Sequence, residues 1–299
     1  MPRFIHIPTA DLAREATAAV TVEAEYGSFV MEGTVFTAAH HQGSGPFAGR
    51  HLPGFEETGR PSPCNDDGIP VLGLHDVVAV SHIDLDSVGG ALRTVADFAP
   101  LFDGRFAGFW DLSEHIDVAG AHRLDPDHEW APALLAVWAW EQEHRPRFSR
   151  EEIEDCSEFM HAAGQMLVRL LVEGDADLLA AGQAMADAEA ALNEESLVRV
   201  VEAGDRLVAV REAGQFVNHL YRLPDGRVAA AVVARNTEMS SVTVSLADAI
   251  EGFVCRDIVQ GLWGPDAGGH AGIAGSPRGR EMTTDDLDAL AAAVVDLLG

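Results

Sequence analysis

Residues 77–90 read VVAVSHIDLDSVGG. The apolar, largely β-branched opening fits a short buried strand, and it stops at a histidine, two aspartates two positions apart and a glycine pair. GGALRTVADFAPLF, which follows, fits a helix, so the stretch predicts half of a βαβ unit in a parallel sheet. In open α/β sheets the carboxyl ends of the strands border the ligand crevice, so this strand would deliver His82, Asp84 and Asp86 to that edge. If the backbone stays extended, the two aspartates share a direction. An imidazole with hard carboxylate oxygens suits Mn²⁺ or Mg²⁺ better than a structural zinc. Gly89 and Gly90 would let the helix pack closely and leave its N-terminal amides for a phosphate. The plainer alternative is an Asx turn in which Asp86 caps the helix and its neighbours are solvated.

Outward from this stretch, residues 1–75 alternate apolar runs (VTVEAEYGSFVMEGTVFTAA) with the Gly/Pro-rich HHQGSGPFAGRHLPGF, which predicts strands joined by a long loop. His40 and His41 stand where VFTAA ends, a second apolar run terminating in histidines. FAGFWDL, 106–112, is a further strand candidate. From about 131 to 196 apolar residues recur at helical spacing, with Ser149 as a candidate N-cap and Glu152 three positions on. After NEES the texture becomes short alternating strands, with Pro224-Asp225-Gly226 as a turn. The expected fold is therefore α/β: an N-terminal parallel-sheet domain over 1–195 that includes a helical linker, and a smaller C-terminal α/β domain over 200–299.

Bulk composition narrows the function. The chain has 299 residues, 47% of them hydrophobic, enough for a sizeable core. No apolar run approaches the length of a membrane span and no signal-type h-region opens the chain, so a cytoplasmic protein without a membrane partner is expected. Cys64, Cys156 and Cys255 lack metal or disulfide spacing and read as buried small hydrophobes. Acidic residues number 48 against 20 basic ones, all arginine, for a net charge of −28. That charge argues against long nucleic acid as a partner. A small nucleotide is still admitted, because a bound divalent ion reverses the local field. The oligomeric state is open, with a homodimer allowed.

Two more clusters carry chemistry. FWDLSEHIDVAGAHRLDPDH holds Asp111, His115, Asp117, His122, Asp125 and His128, a density that signals either a metal site or a polar surface. Near the C-terminus, Gly268-Gly269-His270-Ala271-Gly272-Ile273-Ala274-Gly275 is a loop whose amides can wrap an anion while the imidazole hydrogen-bonds it.

The strand VTVSLAD, the helix after it and this GGHAGIAG loop resemble the C-terminal substrate-binding domain called DHHA1, and SHIDLDSVGGAL resembles the first motif of the DHH phosphoesterases. The two motifs occur in both halves, in the family's order. The resemblance implies two domains with an active-site cleft between them, and two Mn²⁺ or Mg²⁺ ions that activate water against a phosphoester of a short oligonucleotide or nucleotide. By carry-over, His82, Asp84 and Asp86 become metal ligands with catalytic roles, and Gly268, Gly269, His270 and Gly272 grip the substrate. The sequence departs from the pattern in three ways. His82 stands two residues before the first aspartate rather than four, no Asp-His-His occurs, and Ala39-His40-His41 precedes the DxD motif. Either His40 and His41 supply ligands from a permuted position, or the 111–122 cluster replaces the missing motifs through Asp111 and His115. The alternative function is a degenerate relative that binds a nucleotide or other small ligand without turnover.

Overall fold

The structure, a computed structural model, describes residues 2–24, 26, 31–33, 36–39, 76–149, 151–214, 220–277 and 279–299; His40 and His41 lie outside the described residues. The chain separates into two compact units, 1–185 and 186–299.

The first unit is built on β1 (Arg3–His6), β2 (Val20–Ala24), β3 (Phe36–Ala39), β4 (Val77–Val80) and β5 (Glu154–Asp155), in the order β3-β2-β4-β1-β5. The pairs β2–β3, β2–β4 and β1–β4 are parallel, and β5 runs antiparallel to β1. Phe4, Val20, Val22, Val78 and Val80 face one core, with residues of α2 (Leu85–Arg93), α3 (Ala107–Ala119), α4 (Ala131–His144) and α5 (Ser157–Leu167) packed over them. Ile5, Ile7 and Ala79 face the opposite side, with Ala13 of α1 (Ala10–Ala13). The neighbouring parallel strands β1 and β4 thus send their following helices to opposite faces of the sheet. Such a divergence opens a crevice at the strands' carboxyl ends.

Three local expectations are corrected. FAGFWDL is not a strand but the start of α3: Phe106, Phe109, Trp110, Ser113 and Ile116 are buried at helical spacing, and the Trp110 indole donates to the Leu101 carbonyl at 2.9 Å. Ser149 caps no helix; its hydroxyl accepts the Glu151 amide in a local turn, and α5 begins only at Ser157. The cap of α2 is Asp84, not Asp86.

The second unit carries β6 (Leu197–Ala203), β7 (Arg206–Ala213), β8 (Ala231–Asn236), β9 (Ser241–Leu246), β10 (Gly268–Gly269) and β11 (Ile273–Gly275), in the order β10-β11-β9-β8-β7-β6. All neighbours are antiparallel except β7 and β8, which are parallel. The expected turn forms between β7 and β8: Gly226 adopts φ 84° and the Leu223 amide donates to the Arg227 carbonyl at 2.9 Å. Val208, Val210, Val233 and Val244 pack against Val259 of α7 (Cys255–Trp263) and Leu287, Leu290 and Val294 of α8 (Thr284–Leu298). Cys156 and Cys255 are buried free thiols, pushed up by burial to about 12 and about 11.

Candidate functional site

The crevice between the ends of β1 and β4 holds a cavity of about 420 Å³ lined by His6, Thr9, Ser81, His82, Arg145 and Phe148, among others. The β-ladder sets this geometry. His6 pairs with Val80, so the last residue of β1 and the residues just past β4 reach the same edge. The His6 imidazole is buried, tilts against the Phe148 ring at 5.2 Å and leaves Nδ1 without a hydrogen-bond partner. Burial lowers its pKa, against the opposing pull of the Ser81 backbone and Glu154.

His82 and Asp84 meet directly. Nε2 of His82 lies 3.0 Å from Oδ2 of Asp84, and Ser81 Oγ lies 3.0 Å from Nδ1 of the same ring. The other carboxylate oxygen of Asp84 accepts the Ser87 amide at 2.9 Å, and Ser87 Oγ accepts the Asp84 amide at 2.9 Å, a reciprocal helix cap. Burial alone would raise the Asp84 carboxyl, but the His82 ring and the Ser87 donors outweigh it and hold it at about 2.

Asp86 goes elsewhere. Asp84 is extended, but Asp86 already sits in the first turn of α2, so the shared direction expected of the DxD spacing does not arise. Its buried carboxylate accepts a long hydrogen bond, 3.4 Å, from Ser113 Oγ on α3. Asp111 and His115 lie exposed on α3, as does Asp117, whereas His122 is buried in a short 3₁₀ turn. The structure therefore brings His82 and Asp84 together and leaves Asp111 and His115 on the surface. Among the described residues no three His, Cys, Asp or Glu side chains converge as a metal shell.

The donor pair nonetheless fits part of a divalent-ion site. Two cis ligands of an octahedral Mg²⁺, each at ~2.1 Å, lie ~3.0 Å apart. His82 and Asp84 have that separation. The remaining positions would fall to water or substrate.

Sequence reasoning missed His6, Glu141 and Arg145. His6 is the last residue of β1, but in the sequence it sits inside the apolar run Phe4-Ile5-His6-Ile7, so no local signal marks it. Glu141 lies on α4, where burial, reinforced by the Asp84 charge and opposed by Arg145, raises its carboxyl to about 7. The fold then binds this proton more tightly than the unfolded chain does. Its contribution is fully present below the ordinary value of 4.5 and is lost as pH rises through about 7. In EDTA, urea unfolding is expected to show wild-type stability falling by ~2–3 kcal/mol between pH 4.5 and 8 relative to Glu141→Gln. Parallel curves for the two proteins would refute it.

In the second unit Gly268, Gly269, His270 and Gly272 are exposed around the β10–β11 hairpin. Only Gly269 is sterically required. Its φ is +148°, and a Cβ there would meet the Ile273 carbonyl oxygen at 2.4 Å and the Ala274 Cα at 2.5 Å, while Gly268 and Gly272 have open space. Gly269→Ala is expected to destabilise the protein by ~1–3 kcal/mol in thermal melts, with Gly272→Ala within ~0.5 kcal/mol of wild type.

No family model matches the chain, and no curated protein matches it. Among solved structures it is similar to a pGpG-specific phosphodiesterase, PggH from Vibrio cholerae, at 12% identity and a TM-score of 0.43, over 77% of this chain and 81% of that one. A likeness that distant fixes neither family nor activity. No helix among the described residues is long and apolar enough to cross a membrane.

Proposed function

We propose that the chain is a hydrolase of small phosphoesters, a short oligonucleotide or a nucleotide, acting at the β1–β4 edge. The observation that carries this reading is the His82–Asp84 pair, 3.0 Å apart at the switch point of a parallel sheet and beside a cavity that Arg145 also lines. Asp84, held at about 2, stays ionised across any working pH, and its Oδ2 lies 3.0 Å from Nε2 of His82. Arg145 supplies positive charge for a phosphate in an otherwise strongly acidic chain. His82 and Asp84 are the residues that would hold Mn²⁺ or Mg²⁺, whose chemistry is to lower the pKa of a bound water and neutralise phosphoryl charge. The exposed Gly268–Gly272 loop with His270 is a proposed phosphate-binding element of the second unit.

The second reading, ligand binding without turnover, is favoured by the absence of three converging ligand side chains among the described residues. Elemental analysis after Mn²⁺ loading, beside hydrolysis of bis(p-nitrophenyl) phosphate and dinucleotides, separates the two. Bound Mn²⁺ and turnover in wild type, both lost in Asp84→Asn, support the hydrolase. Metal-free, inactive wild-type protein moves the assignment to the binding protein.

A further inference from the structure

A second cavity, of about 420 Å³, lies wholly within the second unit, and its volume is in the usual range for a small-molecule site. One wall is the part of α6 (Ala176–Glu195) that belongs to this unit: Ala186, Glu189, Ala190 and Asn193 recur along it at helical spacing. The other wall is Arg222, Leu223 and Pro224, leading into the turn that Gly226 closes. Among the described residues Glu189 is the only acidic side chain of this unit that is buried, at 6% exposure, in a chain with 48 acidic residues. The two walls are tied together. The Asn193 side-chain amide donates to the Arg222 carbonyl at 3.4 Å, and Arg211 on β7 donates to the carbonyls of both Asn193 and Arg222. Hydrogen bonds therefore fix the spacing between the helix face and the Arg222 segment, and the cavity is preformed.

Glu189 and Arg222 present opposite charges to one cavity. A simple anion entering it would meet the buried carboxylate, and a simple cation would meet the guanidinium. A small zwitterion suits both, because an ammonium on Glu189 and a carboxylate on the planar fork of Arg222 form charge-assisted hydrogen bonds. Ala186, Ala190, Leu223 and Pro224 supply an apolar remainder of the lining. We propose that this cavity binds a free α-amino acid with an aliphatic side chain, its ammonium on Glu189 and its carboxylate on Arg222. The site shares no residue with the β1–β4 crevice, lies within one unit and asks nothing of the hydrolase reading.

The test is calorimetric titration of the full chain with L-leucine, with N-acetyl-L-leucine, which lacks the ammonium, and with L-leucinamide, which lacks the carboxylate. Wild type is expected to prefer L-leucine over each derivative by about tenfold or more, the scale of one hydrogen bond to a charged group. Glu189→Gln should erase the preference over N-acetyl-L-leucine and keep the preference over L-leucinamide, and Arg222→Gln should do the reverse. A general loosening of α6 or of the turn would weaken all three ligands alike and leave both ratios intact. Ala190→Leu, at an exposed position of the cavity wall, should block L-leucine without lowering the melting temperature, which keeps the proposal testable where Glu189→Gln fails to fold. No binding of L-leucine to wild type at millimolar concentration, equal affinity for the three ligands, ratios that both charge variants leave unchanged, or full L-leucine affinity in Ala190→Leu overturns the proposal.

Discussion

Asp84→Asn is expected to cut phosphoester hydrolysis about a thousandfold, the scale of losing one preorganised electrostatic partner, while moving the melting temperature by only a few degrees. Asp84 has two jobs, and asparagine separates them. As the cap of α2 its oxygen accepts the Ser87 amide at 2.9 Å, and asparagine caps about as well as aspartate. As the partner of His82 its charge matters, and asparagine lacks it. Asp84→Ala removes both functions and should lose a further ~1 kcal/mol of stability. A variant that hydrolyses phosphoesters at the wild-type rate would reduce Asp84 to a helix cap, and the proposed site would go with it.

The largest expected loss of stability belongs to Arg211→Met, about 3 kcal/mol by urea unfolding. The Arg211 side chain on β7 is fully buried, and burial pulls the guanidinium down to about 10. Its acceptors are neutral. Nε donates to the Leu220 carbonyl at 2.7 Å, Nη2 to the Arg222 carbonyl at 2.8 Å, and Nη1 to Ser196 Oγ at 2.9 Å and to the Asn193 carbonyl. One side chain thereby ties the end of α6 (Ala176–Glu195) and the segment before the 224–226 turn to the sheet. Methionine fills much of the volume and relieves the buried charge, but it orphans several carbonyls at ~1–3 kcal/mol each, and that term should win. Arg211→Lys, which can reach only some of these acceptors, should fall between. A loss under ~1 kcal/mol for Arg211→Met would mean that the desolvation of the cation cancels its hydrogen bonds.

Periodicity carried the α/β class and the strand-to-helix step at 77–90, because a buried parallel strand is a continuous apolar run. It failed at 106–112, where aromatic residues were read as a strand although Phe106, Phe109 and Trp110 fall on one helical face. Spacing put His82, Asp84 and Asp86 at one strand end, but it could not show that the chain turns helical between Asp84 and Asp86, which sends the second carboxylate toward Ser113 of α3. Nor could spacing find His6 or Arg145, which reach the cavity only through the β1–β4 pairing and the end of α4. Contacts between residues far apart in sequence leave no local trace.

The pairing of β1 with β4 also dictates an order of events. Residue 6 sits beside residue 80 in the ladder, so the crevice edge requires closure of a loop of roughly 75 residues. Closing so long a loop costs about 4 kcal/mol of chain entropy before any contact repays it. The β6–β7 hairpin needs no such search. During refolding that hairpin should gain hydrogen-exchange protection early, while the amides of β1 stay open until β4 arrives, so the crevice is assembled among the last features of the first unit. A nascent chain halted before residue 80 emerges would carry β1 as an unpaired apolar edge, the segment most in need of a chaperone.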